Sequence, residues 1–256
     1  MCIIAIAYRV HPAYPLVIAS NRDEFYDRPT APLEYWDTHP EILAGRDLKS
    51  SGTWLGVNKN GKIAAVTNYR EPSATNNAGK SRGALVFDFL VDDIPADAYL
   101  KRIEDQKNKF NGFNLIAGTV NGLFWYSNRN SGITALSPGI QAISNNLLNT
   151  PWPKVEKIRQ GFSAIIRNDT PIDPDTLFDL LKDQSRPPDA QLPDTGIGKT
   201  WEKVLSPVFI KSEIYGTRCS SVILIDNAGN VLFCERTFEA GETAFTRCFD
   251  FISADP

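Results

Sequence analysis

Three short turns limit what this chain can fold into. Asn121-Gly122 separates the apolar runs 113–120 and 123–127, Asn58-Lys59-Asn60-Gly61 separates 54–57 from 62–68, and Asn227-Ala228-Gly229 separates 220–225 from 230–236. Asparagine and glycine accept the positive φ that tight hairpins require, so each turn predicts two antiparallel neighbours. Parallel strands would need long crossovers instead. Further strands are expected at Cys2–Tyr8, 16–20 and 243–251, which are apolar or β-branched.

Helices are expected between the hairpins. Residues 82–91 and 96–110 read as helical, with Pro95 breaking the pattern between them. In 154–167 the apolar residues Val155, Ile158, Phe162, Ile165 and Ile166 recur at helical spacing. In 174–183, Asp173 is a good N-cap and Pro174 suits the first helical position. Hairpin groups enclosing helices predict an α+β fold of antiparallel sheets covered by helices. Residues 184–198 hold Pro187, Pro188 and Pro193 and read as a long surface loop, either a lid or a plain linker. The 256 residues fit one large domain or two small ones and are read as a single domain over 1–256.

Composition excludes several classes. A net charge of -3 argues against a broad nucleic-acid surface. The early apolar run Cys2–Tyr8 is too short to cross a bilayer and lacks the basic lead-in of a signal peptide. The four cysteines, Cys2, Cys219, Cys234 and Cys248, form no C-x-x-C pair, and a chain this size needs no staples. A reducing cytoplasm is the expected location. With only His11 and His39, the usual spacing of a structural zinc site is absent.

Cys2 and the run Asn21-Arg22-Asp23-Glu24 carry the chemistry. Removal of Met1, permitted by the small Cys2, would leave a thiol beside a free α-amine. That amine titrates near pH 8, so part of it is a base at cellular pH and can take the thiol proton. A guanidinium can pair with the resulting thiolate, and a carboxylate can hold the terminal ammonium. Taken alone, Cys2 reads more readily as a core residue than as a catalyst, and composition favours reading the polar run as a solvated turn after 16–20. Two other motifs fail. Gly196-Ile197-Gly198-Lys199-Thr200 lacks the leading glycine of a phosphate loop, since that position is Pro193. The pairs Asp23/Glu24 and Asp92/Asp93 are adjacent and so face opposite sides of a strand, which is no glycosidase geometry.

Together these motifs resemble the NRDE family, also called the transport and Golgi organisation protein 2 family. The likeness rests on Met1-Cys2, Asn21-Arg22-Asp23-Glu24-Phe25, Gly45-Arg46-Asp47 and Gly52-Thr53-Trp54-Leu55-Gly56-Val57. It continues through Val66-Thr67-Asn68-Tyr69-Arg70, Ser144-Asn145, Thr150-Pro151-Trp152-Pro153-Lys154 and Tyr215-Gly216-Thr217-Arg218. That family is in turn similar to the cysteine N-terminal-nucleophile hydrolases. The resemblance implies a four-layer αββα sandwich with Cys2 as nucleophile, Arg22 and Asp23 beside it, and Arg218 as a later arginine near it. Either Asp23 or Glu24 would face Cys2. It also implies oxyanion donors at Asn68 and Asn145, each lowering a barrier by roughly 3–4 kcal/mol, although asparagine at a strand end is also a common turn residue. Asn21, Glu24, Phe25 and Trp54 would contact substrate.

Two functions follow. One is hydrolysis of a C–N amide bond in an acyl or lipid-like substrate, needing no cofactor. The other is non-catalytic binding on the same scaffold, since the resembled family is implicated in haem trafficking and lipid metabolism and a fold alone does not set function. Haem is a possible ligand, with Cys2, His11, His39 and the tyrosines as candidate axial groups. Phe25, Tyr26, Tyr35 and Trp36, near Arg22 and Arg28, would suit a flat ligand bearing carboxylates. The sequence sets neither the substrate nor an oligomeric state.

Overall fold

The computed structural model describes residues 2–72, 79–168 and 171–254. The expected removal of Met1 concerns a residue outside this set. The chain runs β1 (Cys2–Tyr8), β2 (Leu16–Phe25), β3 (Thr30–Trp36), β4 (His39–Asp47), β5 (Leu55–Asn58), β6 (Ile63–Asn68), α1 (Gly83–Val91) and α2 (Ala96–Glu104). It continues with β7 (Phe113–Thr119), β8 (Gly122–Ser127), β9 (Thr134–Ala135), β10 (Gly139–Ile143), α3 (Pro153–Ile166), α4 (Pro174–Leu181), α5 (Lys199–Val204), β11 (Tyr215–Ile225), β12 (Asn230–Glu239) and β13 (Glu242–Ile252).

The strands form two antiparallel sheets. One has the order β10-β1-β2-β11-β12-β13 and the other β3-β4-β5-β6-β7-β8-β9. The period-2 alternation of each strand divides its side chains between two cores. Ile4, Ile6 and Tyr8 of β1 meet Leu55, Val57 and Ile116 in the space between the sheets. Ile3, Ala5 and Ala7 pack instead beneath Val155, Ile158 and Phe162 of α3 and Leu177 and Phe178 of α4. On the outer face of the second sheet, Ala64 and Leu115 pack against Phe89 of α1 and Tyr99 and Leu100 of α2. The result is the expected αββα order of layers. Burying a side chain such as Phe162 of α3, fully buried, contributes about 2 kcal/mol.

The hairpin turns lie where expected, with small shifts. Thr119 pairs with Gly122, so the first turn is Val120-Asn121 and Gly122 already belongs to β8. The Asn58 side chain accepts from the Asn60 and Lys62 amides, and Gly61 takes a φ of 79°. The run Asn21–Phe25 is no solvated turn: β2 continues through it, paired with β1 as far as Arg22 and with β11 as far as Phe25. The strands β3 and β4 carry no clear sequence pattern. Pro32 interrupts β3, which is tolerated because β3 is an edge strand.

Cys234 and Cys248 are directly opposed on β12 and β13 and form a disulfide, so these two are not the free thiols expected. Their spacing in sequence gives no hint of this, because the bridge depends on cross-strand register. Cys2 and Cys219 are free and buried. Among the described residues, no helix is long and apolar enough to cross a membrane.

Candidate active site

The polar residues of β2 lie in a central strand, where an unpaired polar group would be costly. Each has found partners. The Asn21 amide donates to the carbonyls of Leu181 and Val208 (both 2.9 Å) and its oxygen accepts from the Ser220 hydroxyl (2.5 Å). Asn21 therefore ties β2 to the helix layer and does not reach the cleft. Arg22, one position on, points between the sheets. Its guanidinium lies 4.3 Å over the Trp54 ring, donates to Thr30 Oγ1 (3.1 Å) and stands 3.9 Å from Asp47. Asp23 returns to the helix side, where its Oδ1 accepts from the Thr217 hydroxyl at 2.7 Å.

Cys2 opens β1 directly opposite Arg22 and shares the inter-sheet face of Ile4. It forms one wall of a cleft of about 470 Å³. The end of β2 supplies Arg22, Asp23 and Glu24 to this cleft, the segment before β5 supplies Thr53 and Trp54, and β6 supplies Val66 and Asn68. Lys80, Ser81, Arg82 and Gly83 close it from the start of α1. Two glycines make this convergence possible. A Cβ on Gly45 would lie 2.4 Å from the Trp54 ring, and one on Gly52 would lie 2.4 Å from the Gly83 backbone.

The cleft is strongly charged. Arg22, Arg28, Lys49, Lys80 and Arg82 line it against Asp23, Glu24 and Asp47, leaving cations in excess among the described residues. Arg28 bridges Asp47 (2.8 Å) and Glu24 (3.8 Å). Burial pushes the Cys2 thiol up, while the positive start of the chain and Arg22 pull it down and Asp23 pushes it up.

Some residues expected at the site stand elsewhere. Asn145 is fully buried behind Asn68: its Nδ2 donates to the Asn68 carbonyl (2.9 Å), and its own carbonyl accepts from the Arg70 amide (2.8 Å). Ser144 donates to the Cys2 carbonyl (3.0 Å), so this pair joins β10 to both cleft strands without lining the cleft. Arg218 is the extra residue of a bulge in β11, opposite Arg22 and Asp23. Its Nη1 lies within hydrogen-bond reach of the carbonyls of Phe25 (2.9 Å), Tyr26 (3.1 Å) and Arg28 (3.1 Å), which braces the turn carrying Arg28. Phe25 is exposed and packs edge-on against Tyr215. His11 lies at the far end of β1, where Nδ1 accepts from the amides of Ala13 and Tyr14, and His39 packs on Phe87.

The loop 184–198 does not border this cleft. Pro187, Leu192 and Pro193 cover a small cavity on the helix side, floored by Arg70, Trp152, Lys154 and Glu202. In the sequence Arg70 and Lys154 stand out only as members of family motifs and Glu202 not at all, because nothing in a lysine two residues after Trp152 marks it as buried. The cleft cations Lys49, Lys80 and Arg82 escaped the sequence reading, since surface segments are rich in such residues.

A profile of the Transport and Golgi organisation 2 family matches residues 1–240. The chain is 37% identical over 273 residues to the Transport and Golgi organization protein 2 homolog of Homo sapiens, covering 98% of this chain and 99% of that one. It is 35% identical over 264 residues to the homolog of Mus musculus, covering 95% of each. Among solved structures it is similar to a mutant conjugated bile acid hydrolase from Clostridium perfringens, with a TM-score of 0.53, 9% identity, and coverage of 98% of this chain and 92% of that one. It is also similar to the Caenorhabditis elegans ortholog of N-acylethanolamine-hydrolyzing acid amidase, with a TM-score of 0.51, 11% identity, and coverage of 87% and 92%. At such identities the likeness concerns the fold, which is that of the N-terminal-nucleophile hydrolases.

Proposed function

We propose that this chain, which belongs to the Transport and Golgi organisation 2 family, hydrolyses a C–N amide bond in an acyl substrate that carries an anionic group. The observation that carries this reading is the placement of Cys2: it heads the first strand and opens into a cleft beside Arg22, Asp23 and Asn68. The conjugated bile acid hydrolase and the N-acylethanolamine-hydrolyzing acid amidase ortholog named above share the fold.

With Met1 removed, the α-amine of Cys2 takes the thiol proton, and Arg22 supports the thiolate. The thiolate attacks the amide carbonyl. The Asn68 side chain donates to the oxyanion, and Asn145 holds the Asn68 backbone in place. The ammonium returns its proton to the departing amine as the C–N bond breaks, leaving a thioester on Cys2. Water, deprotonated by the same amine, then releases the acid and the free thiol. Asp23 holds the ammonium between these steps. Arg28, Lys49, Lys80 and Arg82 bind the anionic group, and the cytoplasm is the expected location.

The second reading is a ligand that is bound and not cleaved, haem or a lipid, whose carboxylates would use the same cations. Among the described residues neither a histidine nor a tyrosine lines the cleft, so Cys2 would be the residue to hold the haem iron.

Acyl amides bearing a carboxylate or sulfonate, tested beside neutral ones, separate the two readings. The anionic amides should be cleaved faster, with no turnover by Cys2→Ala. Inserting one alanine between Met1 and Cys2 should also abolish turnover and slow iodoacetamide alkylation of Cys2. It moves the amine by up to 3.8 Å when roughly 3 Å contact is needed. Absence of any amide turnover by protein whose intact mass lacks Met1, together with a Soret shift lost in Cys2→Ala, would replace the first reading with the second.

A further inference from the structure

β6 ends at Asn68, so the chain leaves the sheet at the residue that reaches the cleft. A strand end is held on fewer sides than a strand interior, and a donor placed there needs other anchors. The backbone supplies some of them. The Tyr69 amide donates to the Gly112 carbonyl at 2.9 Å. Asn145 clasps both sides of the exit: its Nδ2 donates to the Asn68 carbonyl (2.9 Å), and its own carbonyl accepts from the Arg70 amide (2.8 Å).

The Arg70 side chain leads away from the cleft. It enters the small cavity under Pro187, Leu192 and Pro193. There its Nη1 donates to Glu202 at 2.7 Å, and its guanidinium lies 4.9 Å from the centre of the Trp152 ring. The two side chains of this ion pair are only 6% and 4% exposed. Glu202 cannot turn, because its other oxygen accepts from the Thr195 amide (2.8 Å) and hydroxyl (2.5 Å). A buried ion pair is costly to part, since either partner would be left as an unpaired charge. Arg70 is therefore pinned at its tip by α5 and the loop 184–198, and at its backbone by Asn145.

We propose that Arg70 is a positioning residue of the active site: anchored to Glu202 outside the cleft, it fixes the exit of β6 through Asn145 and so sets where the Asn68 side chain meets the oxyanion. The proposal rests on the reading of Asn68 as the oxyanion donor of an amide hydrolase. Each link from Thr195 through Glu202, Arg70 and Asn145 to Asn68 is a hydrogen bond of 2.5–2.9 Å. A misplacement of about 1 Å can cost as much as a hundredfold in rate, so a brace outside the cleft can govern a donor inside it.

Hydrogen exchange in the full-length, unmutated protein tests the clasp. The Arg70 amide should exchange as slowly as the amides within β6. Exchange as fast as that of an exposed loop amide overturns the proposal without needing any variant. Arg70→Met removes the ion pair and keeps the backbone. The side-chain amide signals of Asn68 in proton–nitrogen NMR should move in Arg70→Met and return towards their places in Arg70→Lys, whose cation can still pair with Glu202. With an anionic acyl amide as substrate, kcat should fall about tenfold in Arg70→Met while KM changes less than about twofold, because an oxyanion donor acts in the transition state. Arg70→Lys should recover much of that loss. Where Arg70→Met fails to fold, Glu202→Asp, one methylene shorter, takes its place with the same expectations. Unmoved Asn68 signals in the folded variant overturn the proposal, and so does a rise in KM with kcat unchanged. If the unmutated protein cleaves no amide, the hydrolase reading fails instead, while the exchange and the Asn68 signals still report on Arg70.

Discussion

Cys2 and Arg22 are direct partners across the β1–β2 ladder, and the Arg22 guanidinium is held over the Trp54 ring at 4.3 Å. A cation fixed in that way cannot swing off into solvent, so any charge on the thiol meets a preorganised counter-charge. Replacing Arg22 by methionine should raise the midpoint of Cys2 alkylation against pH, because Arg22 draws the thiol down. Reaction at neutral pH should slow several-fold. Alkylation equally fast at every pH would show that Arg22 serves the fold alone.

Arg218 gives a different outcome. Its contacts are the carbonyls of Phe25, Tyr26 and Arg28, and it does not line the cleft. Arg218→Ala should lower stability by roughly 1–2 kcal/mol, the scale of lost charged hydrogen bonds. Substrate affinity should weaken more than turnover, because the loosened turn carries Arg28. A loss confined to turnover, with an unchanged melting temperature, would return Arg218 to the reacting centre.

Glu235 on β12 is buried between the sheets, accepting from the Leu33 amide at 2.8 Å. Burial pushes its carboxyl up, while Leu33, Cys219, Arg22 and Arg247 draw it down. The folded state then holds this proton more tightly than the unfolded chain. Stability from this group is fully present below its unfolded value and falls as pH rises through its folded one. Glu235→Gln keeps an acceptor for Leu33 and removes the buried charge. Urea unfolding should show the variant gaining on the unmutated protein at pH 7.5 relative to pH 4. A variant that loses stability more at pH 7.5 than at pH 4 would mean that the charge is needed.

The Cys234–Cys248 bridge spans 14 positions of chain. Closing a loop of that size stabilises by about 3 kcal/mol in the chain-entropy picture. Reduction with dithiothreitol should therefore lower the unfolding free energy by about that amount. It should leave Cys2 alkylation unchanged, since β13 is the outer strand of its sheet. Alkylating a cell lysate before unfolding, then weighing the protein, would reveal whether the pair is bridged in its own compartment.

The hairpins and most strands could be read from Asn-Gly turns and apolar periodicity, because these are local properties, whereas the αββα layer order was implied by the family resemblance. β3 and β4 could not. Their stretches mix proline, charged and aromatic residues, and they become strands only by pairing with each other and β5. The polar run of β2 reads as a turn on composition and is a strand by tertiary pairing. At the site, Cys2, Arg22, Asp23, Glu24, Trp54 and Asn68 reach one cleft, whereas Asn21, Phe25, Asn145 and Arg218 do not line it. Sequence motifs mark residues that the fold requires, and they do not separate those facing the cavity from those bracing its walls.

The alternation of β1 between two cores also makes the chemistry a matter of odd and even numbers. Only the even positions of β1 look into the space between the sheets. If trimming exposed Ile3 as the first residue, the new terminal side chain would face the helices, whatever residue replaced it. Sliding β1 by one position against β2 would likewise hide the thiol beneath α3. A working start can thus move along this strand only two residues at a time, and the next eligible place, Ile4, holds no nucleophile.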